Sequence, residues 1–293
     1  MENKKELAMR LFFLLNGLLA IIVLGGIFYL LLSNSLMAWR EVGIVPFFAG
    51  LIWRPSGFEA ASFGILTLVA GTLLVTAGAA VVAIPVGIAC AVYLAEVASP
   101  LEREVMKPVV ELLAGVPSVV IGFFGLVVLN PLLARLFDIP NGLTALNGSL
   151  LLALMSLPTI ISISEDALTA VPREYKEASL ALGANRWQTV KSVILPAAFS
   201  GVSAAVMLGI GRAIGETMTV VMATGNALQF PSGFLSSIRT MTATIAIEMG
   251  EVPFNSTHYY ALFAVGFVLF AMTFVLSLLA DIFLHKAGEV AKR

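Results

Sequence analysis

Six apolar runs constrain this chain more than any other feature. They lie at 11–32, 65–95, 109–130, 146–164, 198–224 and 259–284. Each is close to or beyond the roughly 20 residues that a helix needs to cross hydrocarbon. Backbone polar groups find no water there, so they must be satisfied within the protein. Only 12% of the residues are charged, against about 25% in a soluble domain. The reading is an all-α membrane protein with about six transmembrane helices. The net charge of −1 gives no case for nucleic acid. The lone cysteine, Cys90, lies in an apolar run and reads as a small buried hydrophobe.

The distribution of lysine and arginine orients the spans. Lys4, Lys5 and Arg10 precede a first run that is too long for a signal-peptide core and reads as a retained span. With the N-terminus inside, twelve basic residues fall on the cytoplasmic side. Four, Arg40, Arg54, Arg135 and Arg239, fall outside, and Arg212 lies within a span. By the positive-inside rule both termini are cytoplasmic. The outside segment 33–64 carries Trp39 and Trp53, whose amphipathic rings suit the headgroup level. The outside segment 225–258 reads as one that dips partway into the membrane, or as an ordinary loop. Pro85, Pro117 and Pro158 fall inside apparent spans, where each removes a donor and can kink a helix.

One cytoplasmic stretch is too polar for its surroundings: Glu174–Pro196, EYKEASLALGANRWQTVKSVILP. It reads as two short amphipathic helices broken at Gly183, a residue that tolerates tight-turn angles. Leu180, Leu182, Trp187, Val190 and Val193 supply apolar contacts, and Lys176, Glu177, Arg186, Gln188 and Lys191 stay wet. Such a pair can lie at the membrane surface and fit a groove on a partner. The spacing resembles the EAA loop of ABC-importer permeases. Glu177, Ala178 and Ser179 are followed after three residues by Gly183, and after nine more by Val193, then Leu195 and Pro196. Ser179 stands for the second Ala and Val193 for Ile.

Arg212 and Glu216 sit deep in the fifth run, in Gly209–Thr217. Four residues apart on a helix, they share a face. A charge at a helix centre costs roughly 2.5–3.5 kcal/mol, so the pair should face protein or water. Gly209, Gly211 and Gly215 would let another backbone approach. Two readings stand: an anion passage, in which guanidinium donors match a tetrahedral oxyanion, or an ion pair that fixes packing. Glu111 and Ser118 open the third run. The helix dipole accounts for Glu111 at a helix N-terminus, and Ser118 is a candidate pore residue. Glu96 ends the second run as a helix-end polar group, and Glu165–Asp166 end the fourth and read as a solvated helix end. No Gly-x-x-x-x-Gly-Lys-Ser/Thr occurs, so no ATP site is expected on this chain. The two histidines, His258 and His285, fall at opposite span ends and suit no paired zinc site.

Several stretches together resemble the phosphate-specific branch of the ABC-importer permeases. They include Ala83-Ile84-Pro85-Val86-Gly87, Tyr93-Leu94-Ala95-Glu96, Glu111–Val120 and Gly211–Met218. The long first outside segment and Phe63-Gly64 look more like the PstC-type subunit than its PstA-type partner. The resemblance implies a type I importer permease fold in the bacterial inner membrane. It implies a second, PstA-type permease, a dimer of a PstB-type ATPase that grips the EAA loops and binds the ATP, and a PstS-type periplasmic phosphate-binding protein. It implies no cofactor on this chain and no catalytic residue. In the family's fifth-span motif, Arg and Glu are tied to phosphate passage; they match Arg212 and Glu216, with Thr217 adjacent. The chain then divides into residues 1–64, a first span with a periplasmic segment, residues 65–285, the permease core with its coupling loop at 172–196, and a cytoplasmic tail, 286–293. Glu111 and Glu96 are expected to be buried structural polar groups. The rivals are a permease for molybdate, sulfate or a phosphonate, a membrane-embedded enzyme using Glu216 or Glu111, and a non-transporting sensor.

Overall fold

The computed structural model describes residues 4–56 and 60–290. Helix α1, Lys4–Val42, is about 58 Å long at 1.5 Å per residue. It runs ten residues past the first apolar run, and Phe28 then packs on Phe267 and Phe270 of α14, Thr257–Val290. The expected tail therefore begins inside a helix, and residues 291–293 lie outside the described residues. Between α1 and the second span lie α2, Ile44–Ala49, and two short antiparallel strands, β1 (Trp53–Arg54) and β2 (Ser62–Phe63). Trp53 does not sit at a headgroup surface. It is 1% exposed, and its indole N–H donates to Glu248 at 2.9 Å.

Two helices form the centre. Helix α3, Leu66–Val92, continues as a π-helical turn over Tyr93–Val97. Helix α7, Ala145–Thr169, packs along it. Both stay helical through their prolines, Pro85 and Pro158. The buried Ser149 hydroxyl of α7 lies 2.8 Å from the Ala145 carbonyl of its own helix and 3.2 Å from the Val75 carbonyl of α3, so it is satisfied where the two helices meet. The core around this seam is Val75, Ala79, Ala83, Leu152, Ile160 and Ala213.

Pro117 does break its span. Helix α4, Pro100–Ala114, ends before Gly115-Val116-Pro117, and the span proper is α5 (Ser118–Phe124), a π turn and α6 (Asn130–Leu136). The third span thus lies at 118–136 rather than 109–130. Apolar composition continues across the break and hides it. Helix α4 opens on a capping box: Glu102 N–H donates to Ser99 Oγ at 3.3 Å, and Ser99 N–H to Glu102 Oε2 at 2.7 Å.

The polar insert folds as α8 (Arg173–Ala181), α9 (Arg186–Thr189), a π turn over Val190–Ile194 and α10 (Leu195–Ala197). A 73° bend then leads into α11, Phe199–Gly215. The fifth run is not one helix. It breaks at Glu216–Thr217 and resumes as α12, Met218–Ala223. Segment 225–258 does fold back into the bundle, where α13, Met241–Glu248, buries Met241, Thr242, Ala243 and Thr244. Among the described residues five helices are long and apolar enough to span alone, or six if the bent pair counts as one span.

Candidate functional site

The break between α11 and α12 carries the fifth-run charges. Arg212 lies in the last turn of α11, where a cation complements the exposed carbonyls of the helix end. Glu216 follows the helix with φ −69° and ψ 134°, an extended conformation. The four-residue spacing therefore does not place the two side chains on one helical face. No ion pair joins them among the described residues, which removes the packing-pair reading as drawn from the sequence. Instead, Glu216 Oε1 accepts from the Thr219 N–H at 3.4 Å at the start of α12. The Glu216 carbonyl accepts from the Thr242 hydroxyl at 2.8 Å.

Ser118 joins this locus through its backbone, because the buried Thr219 hydroxyl donates to the Ser118 carbonyl at 3.1 Å. Gly122 makes the approach possible: a Cβ there would lie 3.1 Å from Thr219 Cα. Thr217 donates to the Gly215 carbonyl at 3.3 Å and turns the chain. Ser118, Glu216 and Thr217 thus meet at one break. Arg212 stands one turn back on an exposed face with Leu208, Gly211 and Gly215. Of the three glycines, only Gly209 meets a neighbour, since a Cβ there would lie 2.6 Å from Ile160 Cγ1. Nothing lies within 4 Å of a Cβ at Gly211 or Gly215. An uncovered guanidinium at this depth is costly in lipid, so this face needs protein or water against it.

The coupling-loop residues cluster at one end of the bundle. Ser179 is buried, and its hydroxyl lies 3.0 Å from that of buried Thr189, clamping α8 to α9. Ala at this position would lack that bond. Gly183 sits at φ +86°, the left-handed region that other L-residues resist. Asn185 and Gln188 form a second capping box. Glu177 and Ala178 are exposed, Leu195 is half-buried and Pro196 is exposed. Leu182 and Trp187, expected to supply apolar contacts, are 90% and 67% exposed. The internal contacts are made by Val190 and Ile194 against Ala91, Val92 and Leu168.

Lys176, expected to stay wet, forms an ion pair with Glu96 of the π turn. Glu96 is half-buried. Both line a pocket of about 180 Å³ with Leu180, Trp187 and Val190. Glu111 is a correction: it is exposed, and it lies in the last turn of α4 rather than at a span's N-terminus. Glu165 is a second correction, since it is 1% exposed rather than solvated. It pairs with Arg103 and, at 2.6 Å, with Lys107 of α4; Lys107 also meets Asp166 at 3.0 Å. Hydrogen bonds that it donates to Glu165 and then to Asp166 raise the Lys107 ammonium above its ordinary value. Sequence reasoning also missed Thr219, whose role depends on the break at Glu216. Among the described residues no group of three or more His, Cys, Asp or Glu is placed to hold a metal ion.

A family model for "Binding-protein-dependent transport system inner membrane component" matches residues 83–288, more than half of the chain. The chain belongs to this family. This permease is therefore a multi-pass inner-membrane transport subunit of an ABC importer, with ATP bound by partner ATPase subunits and substrate brought by a binding protein. Its relatives include the probable ABC transporter permease protein YqgH of Bacillus subtilis, 39% identical over 84% of this chain and 80% of that one. The phosphate transport system permease protein PstC of Mesorhizobium japonicum is 32% identical over 90% and 85%. Among solved structures, the MetNI methionine ABC transporter matches with a TM-score of 0.58 at 18% identity, over 76% of this chain and 97% of that one. That likeness speaks for the importer permease fold.

Proposed function

We propose that this permease is the PstC-type subunit of an ATP-driven importer of inorganic phosphate. The observation that carries the reading is Arg212, a guanidinium on an open face beside a helix break, with no ion pair among the described residues. Its planar donors suit a tetrahedral oxyanion. The similarity to PstC permeases supports phosphate among the oxyanions. In this reading Arg212 lines the passage and faces a PstA-type permease, and Ser118, Glu216 and Thr217 shape the break beside it. Glu177, Ala178, Ser179, Gly183, Leu195 and Pro196 form the loop that meets a PstB-type ATPase, and exposed Leu182 and Trp187 supply apolar surface for that contact. The loop and both termini are cytoplasmic, and a PstS-type protein delivers phosphate to the opposite face.

The test is uptake of radiolabelled phosphate into proteoliposomes holding this chain, its partner permease, the ATPase and the binding protein. Uptake that requires ATP and resists competition by molybdate and sulfate supports the reading. A complex that hydrolyses ATP without moving phosphate overturns the substrate and directs attention to the other oxyanions.

A further inference from the structure

Helix α13 touches the break at one end and a polar hub at the other. At its start, Thr242 donates to the Glu216 carbonyl, and the Met241 N–H donates to Thr72 of α3 at 3.0 Å. At its end stands Glu248, mostly buried. Its carboxylate accepts from the Trp53 indole at 2.9 Å and from Arg239 Nη1 at 2.6 Å, and lies 2.8 Å from His258 Nε2. The three partners come from three separate segments: β1, the loop that leads into α13, and the start of α14. Arg239 Nε also donates to the Asn226 carbonyl at 3.2 Å, which ties the loop after α12 to the same hub.

A carboxylate offers about four acceptor sites, and here they are shared among β1, the loop that leads into α13 and the start of α14. Charge-assisted bonds of this kind are directional and strong in a partly buried site. A helix of eight residues is a rigid piece about 12 Å long. Glu248 thus joins β1 and the α14 start to α13, and Thr242 joins α13 to the backbone of Glu216. An element tied at both ends in this way can be biased by both sites.

We propose that Glu248 is a positioning residue for transport: it makes α13 a strut between the face that receives the binding protein and the Glu216–Thr217 break. The inference rests on the orientation proposed above and not on the identity of the oxyanion.

The test uses the reconstituted complex carrying the native chain, Glu248→Gln, Glu248→Asp, Thr242→Val, or Glu248→Gln with Thr242→Val. Three quantities are read: assembled complex, ATP hydrolysis, and phosphate taken up per ATP when a phosphate-loaded binding protein is supplied. Glu248→Gln is expected to keep assembly and to lower uptake per ATP by roughly tenfold, a coupling loss of usual allosteric size. Glu248→Asp recovers part of it. Thr242→Val cuts the same strut, so the double variant is no worse than the poorer single one. Parallel loss of assembly, hydrolysis and uptake would make the hub a folding feature only. Native uptake per ATP in Glu248→Gln would leave it without a role. If the native complex itself moves no phosphate, the substrate reading fails, and the strut is judged by a second readout. That readout is the rate at which an impermeant thiol reagent labels Met218→Cys in a Cys90→Ser background. Faster labelling in Glu248→Gln supports the strut, and an unchanged rate overturns it.

Discussion

Arg212 and Ser179 are the two single side chains whose chemistry can be weighed most directly. Hydrogen bonds to charged groups are worth about 1.5–3 kcal/mol, so removing the guanidinium should cost transport on the order of 10- to 100-fold. Arg212→Ala is expected to lower phosphate uptake by that factor while the complex still assembles, and Arg212→Lys to retain a larger fraction, since an ammonium keeps the charge but cannot form the bidentate fork. Loss of assembly in the alanine variant would show a packing role instead. Ser179→Ala leaves the buried Thr189 hydroxyl without its partner, which costs about 1–3 kcal/mol. Adding Thr189→Val removes the orphan and should recover most of that loss, read as the thermal midpoint of the purified complex. Both charged residues of the fifth run were legible as polar intrusions in an apolar stretch. Their separation was not. A periodic reading assumes an unbroken helix, whereas Glu216 is held extended beside Thr242, whose position 26 residues later is set by tertiary contacts.

The elements divide by whether their boundaries are written locally. The α8–α9 turn was readable because Gly183 marks it, and the structure supplies the reason in its φ of +86°. Nothing crowds that position, so a substitution there acts through backbone strain alone. Gly183→Val should cost about 1–2 kcal/mol locally and distort the exposed Leu182–Trp187 surface. The expected outcome is ATP hydrolysis without matching uptake, measured as phosphate moved per ATP. Native coupling in this variant would remove the loop from the transmission path. The break before α5 was less legible: Pro117 was noted as one of three prolines, yet α3 and α7 absorb theirs and only this one ends a helix. Burial does not account for the difference, because Pro158 is buried and Pro85 exposed, and α4 stays helical through Pro108 while burying no residue. Glu165 was misread for a long-range cause. Its partners Arg103 and Lys107 lie some sixty residues away in sequence, and no local pattern announces them.

At the scale of the whole molecule, charge asymmetry and exposed surface point the same way. Twelve basic residues against four favour the coupling-loop end for the cytoplasm. The most exposed apolar side chains of the two ends are Leu182 at 90% and Phe254 at 84%. Helix α3 and its π turn separate those ends by 32 residues, about 48 Å at 1.5 Å per residue, more than the roughly 30 Å of hydrocarbon. The two positions therefore lie on opposite sides of any bilayer the bundle spans. Leu182→Cys and Phe254→Cys, each in a Cys90→Ser background, replace largely exposed side chains, the second at the cost of a ring contact with Tyr259, and report the orientation. An impermeant maleimide applied to intact cells should label Phe254→Cys alone, and permeabilised cells should yield both. The reverse pattern would turn the loop of α8–α10 away from any cytoplasmic ATPase, leaving Gly183 and the Ser179–Thr189 clamp without a partner to couple to.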